Sequence, residues 1–337
     1  MVCRQVSHFM NRLKVRTVAC VAVFAMASSC GATAESTNVT LSPGEHFEFH
    51  IDPWVSLHHF AYHFVREEEK SLKLRGDVPL SQDDRDAISP QFESACASLK
   101  IAYRPYIEGS LLHDAGTRGL TKELWSGPEA LNDSAVRDAL SDCMPVYELT
   151  HWPSHQAASQ AFLEQLSAQL EMHESAMADA LADALESAWS EAPIRVDISP
   201  YANWAGAYTD DLPPSITISS FDEMVSRYAF EILFHEAAHT GSLGASLDAA
   251  ANTALDAVGM ENNRFWHYIL FFVTGKTVSE VFDDPDYLPY SRAVGLAESP
   301  SASVFYKALD ESWDLRGSFY ERVLTAAEMV AAEQSQQ

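Results

Sequence analysis

The chain has 337 residues, 47% of them apolar and 21% charged, which is the composition of a globular protein able to bury a core. It carries 22 basic against 48 acidic side chains, a formal charge of −26. A nucleic-acid binder needs a basic face from which counterions are released, so nucleic acid is excluded as a partner, and the same charge disfavours loose adsorption to anionic lipid.

Arg4, Arg12, Lys14 and Arg16 precede or open an apolar run from Thr17 to Met26, and small residues follow through Ala34. That order is the order of a secretory signal, and the run is shorter than the roughly 20 apolar residues that span a bilayer. Residues 1–34 are therefore read as a signal peptide, cleaved after Ala32-Thr33-Ala34. Residues 35–337 are read as a single mature domain, periplasmic or secreted, with no integral membrane span. Ala27-Ser28-Ser29-Cys30 is an imperfect lipoprotein box that lacks the usual leucine, so a lipid anchor at Cys30 stands as the alternative to a soluble product. Met10 also begins a well-formed, shorter leader. Removing the leader takes away four basic and no acidic side chains, which makes the mature chain more acidic still. Only Cys96 and Cys143 remain, and a lone pair in an oxidising compartment predicts a disulfide. Neither has the surroundings of a nucleophile.

In chain order, Phe47-Glu48-Phe49-His50-Ile51 alternates like a strand, and residues 54–70 read as a helix. Residues 71–150 hold loops and short helical stretches, with prolines at 79, 90, 105, 128 and 145 as breaks. A long helix without Gly or Pro covers roughly 155–190. Ile194–Ile198 and Ser215–Ser219 read as strands, joined through the aromatic loop Tyr201–Tyr208. Ser220 and Glu223 form the spacing of a capping box that opens a helix through Thr240, with Gly241 as its C-terminal cap. Helices follow at 245–258, 262–274 and 318–333. No internal repeat is visible, and the pattern predicts an α+β fold, predominantly α-helical, with a small sheet packed beside the 220–240 helix.

That helix contains His235-Glu236-Ala237-Ala238-His239. Histidines four apart rise from one helical face and can hold one zinc ion, while Glu236, a step around the helix, can reach a water on the metal as general base. Strand followed by H-E-x-x-H helix resembles the zincin metallopeptidases over residues 194–241. The metzincin branch would place a glycine and a histidine where Ser242 and Ala245 stand, so the resemblance is gluzincin-like, in which a later helix supplies the third ligand. Glu280, with Asp284 four residues on, fits that outline, but it points away from the apolar side of Val278, Val281 and Phe282. His267 lies in an apolar run, Phe265 to Val273, where an imidazole needs a partner. His267 is therefore placed ahead of Glu280, with Glu261 third.

The resemblance implies an exported zinc-dependent hydrolase of peptide or protein substrates, with His235, His239 and His267 on the metal and Glu236 as base. Tyr208, Tyr201 or Tyr268 are candidate phenolic donors to the oxyanion, Tyr208 foremost. His58, His59, His151 and His155 read as core or helix-start residues. Asp283-Asp284-Pro285-Asp286 reads as a solvated turn, since it lacks the glycine and closing glutamate of a calcium loop. The reading from another class is an exported helical binding or envelope-structural protein with an inactive or structural motif. A zinc hydrolase acting on a non-peptide amide is a third.

Overall fold

The computed structural model describes residues 38–68, 79–107, 115–261 and 264–335; the leader, Cys30 and Glu35 lie outside the described residues. β1 (Val39–Leu41) and β2 (Phe47–Ile51) lead into α1 (Pro53–Glu68). Asp52 Oδ1 accepts the Trp54 and Val55 amides at 2.7 and 2.9 Å, and Pro53 opens the helix where its missing N–H is not needed. The stretch read as loops and short helices holds α2 (Gln82–Ala87), α3 (Pro90–Ala95), α4 (Ala97–Ala102), α5 (Ala115–Leu124) and the longer α6 (Ser134–Thr150). Pro145 does not break α6: it lies on the exposed side of the helix. Cys96, at the end of α3, and Cys143 of α6 form the disulfide that the lone pair predicts, with Cα atoms 4.6 Å apart.

After α7 (Trp152–Ala184) come β3 (Ile194–Ser199), β4 (Ala207–Asp211) and β5 (Pro214–Ser219). The rest is helical: α8 (Glu223–Arg227), α9 (Ala229–Ala237), α10 (Gly241–Val258), α11 (Phe265–Val281), α12 (Tyr290–Ala293), α13 (Ser303–Trp313) and α14 (Phe319–Gln334). The fold is thus α+β and mostly helical, around one five-stranded mixed sheet of order β1-β2-β3-β5-β4. β2, β3 and β5 are parallel, and β1 and β4 pair antiparallel at the two edges. Among the described residues no helix is long and apolar enough to cross a membrane.

Alternation gives the sheet two unlike faces. Phe47, Phe49, Val196, Ile198, Ile216 and Ile218 share one face and are all buried. It meets α9 through Phe47 and Phe234, whose rings lie edge-on at 5.3 Å. The other face is polar and lies under α1 and α5. There Arg195 ion-pairs with Asp197 at 2.7 Å, and Trp125, in the turn just after α5, donates to the same carboxylate at 2.8 Å.

Several expected boundaries move. The helix expected over 220–240 starts instead at Asp222, whose Oδ1 accepts the Met224 and Val225 amides, while Ser220 Oγ bonds the Ser199 carbonyl at the end of β3. It also breaks at Tyr228 (ψ 23°), which separates α8 from α9. Gly241, expected as a C-cap, is left-handed at φ 55° but begins α10. The helix expected over 262–274 continues to Val281. Tyr208, read as the end of a loop, belongs to edge strand β4.

Candidate metal centre

The centre is built by two helical faces with the same spacing. Glu231, His235 and His239 recur every fourth residue from α9 into the turn after it, and His267, Phe271 and Gly275 do so along α11. Fourth-residue spacing sets each trio on one side of its helix. The two sides meet in antiparallel order. His239 and His267 have ring centroids 5.2 Å apart, and Phe271 stacks on His235 at 3.9 Å. At the far end, a Cβ on Gly275 would lie 3.1 Å from Glu231 Oε1.

His235 Nε2 lies 3.1 Å from His267 Nε2 and 3.2 Å from His239 Nε2, and one ring nitrogen from each of the three falls within 4.8 Å of the others. Zinc bonds imidazole at about 2.0–2.1 Å, so two donors of a tetrahedral site stand about 3.3 Å apart. The observed spacing fits that requirement, and a three-imidazole donor set suits zinc. Burial holds all three imidazoles in the neutral form that ligates: it lowers His235 well below the usual histidine value, His239 to about 3 and His267 to about 4. His235 is buried while His239 and His267 are partly exposed, which leaves the outer side of the cluster open to solvent.

His239 lies just beyond the C-cap of α9, Ala238, so the two motif histidines do not share one regular helix. Its N–H reaches the Glu236 carbonyl at 3.2 Å in a tightened final turn, which still brings the rings together. Glu236 is partly exposed beside the cluster, and Thr209 of β4 donates to its Oε2 at 2.6 Å. Burial raises this carboxyl to about 7, against the opposing effect of the Thr209 hydrogen bond.

The other sequence candidates lie elsewhere. Tyr208 is corrected by strand alternation: Thr209 faces Glu236, so Tyr208 faces the polar side of the sheet, its hydroxyl 2.9 Å from His59 Nε2 and 3.4 Å from Thr121 Oγ1. Tyr201 donates to Asp84, which is also 2.9 Å from His155 Nε2. His58 pairs with Tyr103 at 2.7 Å and His151 with Thr150 at 2.7 Å, as core histidines. Glu280 is 63% exposed and lies 3.5 Å from Lys276. Glu261 is exposed, and Asp283 to Asp286 form an exposed turn.

Sequence reasoning missed Thr209, Glu231 and Phe271. Glu231 and Phe271 carried a signal, since each stands four residues from a candidate ligand on the same helical side. Thr209 carried none, because an edge strand ending Thr209-Asp210-Asp211 does not alternate.

No protein-family model, curated protein or solved structure matches the chain. The functional reading rests on the side-chain geometry.

Proposed function

We propose that this chain is an exported, zinc-dependent peptide-bond hydrolase of zincin type. The observation that carries the reading is the convergence of three histidine ring nitrogens, with Glu236 next to His235 in the chain and its carboxylate held by Thr209. When bound, zinc supplies a Lewis acid that polarises the scissile carbonyl and acidifies the attacking water. Glu236 takes the proton from that water and passes it to the leaving nitrogen, so the carboxylate is regenerated in each turnover. Thr209 holds Oε2 and leaves Oε1 to carry the proton.

Edge strand β4 favours a peptide over other amides as substrate. It ends the sheet beside Glu236, and an edge strand receives an extended chain through main-chain hydrogen bonds. The third donor is a histidine, so the likeness to the gluzincin branch stops at that ligand. Export is supported by the leader pattern and by the Cys96–Cys143 disulfide.

Zinc analysis of the purified protein, run beside cleavage of a peptide library, tests the reading. One zinc per chain with hydrolysis lost on chelation is expected. A chain that holds no zinc overturns it, and a zinc-loaded chain that cleaves nothing leaves the structural protein in its place.

A further inference from the structure

His235 is the innermost of the three donors, yet its Nδ1 is buried without a hydrogen-bond partner. A ligating histidine ordinarily donates that N–H to a carbonyl or carboxylate, which fixes the ring. Here the ring is held from its face. Phe271 stacks on it at 3.9 Å and 25°, and Tyr290 stacks on the Phe271 ring at 6.1 Å and 26°. Tyr290 opens α12, a helix of four residues that cannot hold itself in place. Its N–H is instead accepted by both oxygens of Glu231, at 3.1 and 2.9 Å, and Tyr287 donates its hydroxyl to the same carboxylate at 2.7 Å. Gly275 permits this docking: an added Cβ would meet Pro289 Cβ at 2.5 Å and Glu231 Oε1 at 3.1 Å. Glu231 is 1% exposed, one helical turn from His235 and on the same side of α9. Burying a carboxylate is costly even when it is hydrogen-bonded, so an apolar residue would serve a merely packed position better.

We propose that Glu231 is a positioning residue of the metal centre: it docks the 287–290 segment so that Tyr290 presses Phe271 onto the His235 ring, and this stack replaces the missing Nδ1 hydrogen bond. The inference rests on the three histidines being metal donors.

The test is zinc affinity of the purified protein by chelator competition, with far-ultraviolet circular dichroism as the folding control and the visible spectrum of the cobalt-loaded protein as the report on ligand geometry. Losing an outer partner of a ligand costs a metal site about 10–100-fold in affinity. Glu231→Ala, Tyr290→Leu and Phe271→Leu are each expected to lose about tenfold or more with unchanged helicity, and to shift the cobalt bands at saturation. The Glu231→Ala/Phe271→Leu double variant is expected to bind no more weakly than the weaker single, because both act through one stack. Glu231→Gln still accepts the Tyr290 N–H and is expected to restore nearly full affinity. Folded Glu231→Ala and Tyr290→Leu proteins with wild-type affinity and cobalt spectra would overturn the proposal. If Glu231→Ala does not fold, Tyr290→Leu decides, since it leaves the carboxylate and its backbone partner in place. A wild-type chain that holds no zinc overturns the metal reading and this inference together. A zinc-binding wild type with unaffected variants overturns this inference alone.

Discussion

Two residues of the centre separate binding from chemistry. Glu236→Gln keeps the size and helical position of the side chain but cannot accept the water's proton. It is expected to retain stoichiometric zinc and lose about 10²–10⁴-fold in kcat, the range of a general base. Cleavage at wild-type rate by the zinc-loaded variant would assign the proton to another group. The third donor is tested by contrast. His267→Ala removes a nitrogen 3.1 Å from His235 Nε2 and is expected to lose most of the metal with helical dichroism retained, whereas Glu280→Ala removes a solvated carboxylate and is expected to stay loaded and active. Zinc retained by the first variant and lost by the second would return the chain to the glutamate-ligand branch. His267 was legible in the sequence because an imidazole in the run Phe265 to Val273 needs a partner. Tyr208 was not, because the face a strand residue takes depends on a strand that the sequence did not reveal.

Elements with strong periodicity were readable, and elements defined by their neighbours were not. β3 and β5 alternate Ile and Val with polar residues, and α7 runs 33 residues without an internal glycine. β1 and β4 exist because β2 and β5 offer them an edge, and Pro145 stays helical because its side of α6 faces water. The approach of α11 to the Tyr290 segment is likewise a tertiary fact, and it makes Gly275→Ala informative. A methyl group 2.5 Å from Pro289 Cβ must push the segment away, at a cost of about 1–3 kcal/mol for overpacking. Chemical denaturation is expected to show that loss with zinc removed; unchanged stability would mean that the segment yields freely. Farther off, the disulfide spans 47 residues and constrains the unfolded chain by about 4 kcal/mol in the loop-entropy account. Reduction without alkylation of other groups is expected to lower the melting temperature, and a melt indifferent to reductant would refute a structural contribution.

At the scale of the whole molecule, buried titratable groups make the metal-free protein acid-labile. Among the described residues, burial lowers seven histidines: His50, His58, His59, His151, His235, His239 and His267. Unfolding returns each to about 6.5, so below that pH the unfolded chain takes up protons that the folded state refuses. Their contribution is complete above about 6.5 and is lost as pH falls towards folded values such as about 4 for His59 and His267. Three carboxylates act in the opposite sense. Burial raises Asp52, and takes Glu231 and Glu236 to about 7, so each keeps a proton that the unfolded chain releases, and the two glutamates add stability as pH falls from 7 towards 4.5. Each group at its limit changes stability by about 1.4 kcal/mol per pH unit, and seven against three gives the histidines the larger share. Zinc binds only the neutral imidazoles and only the folded chain, so it adds stability at pH 7 that protons remove on acidification. A chelator-treated sample is expected to melt progressively lower from pH 6.5 to 5, with the zinc-induced rise in melting temperature shrinking over the same interval. A melting temperature that stays level or climbs on acidification would mean that the buried carboxylates outweigh the histidines, and a zinc effect independent of pH would place the metal on groups other than His235, His239 and His267.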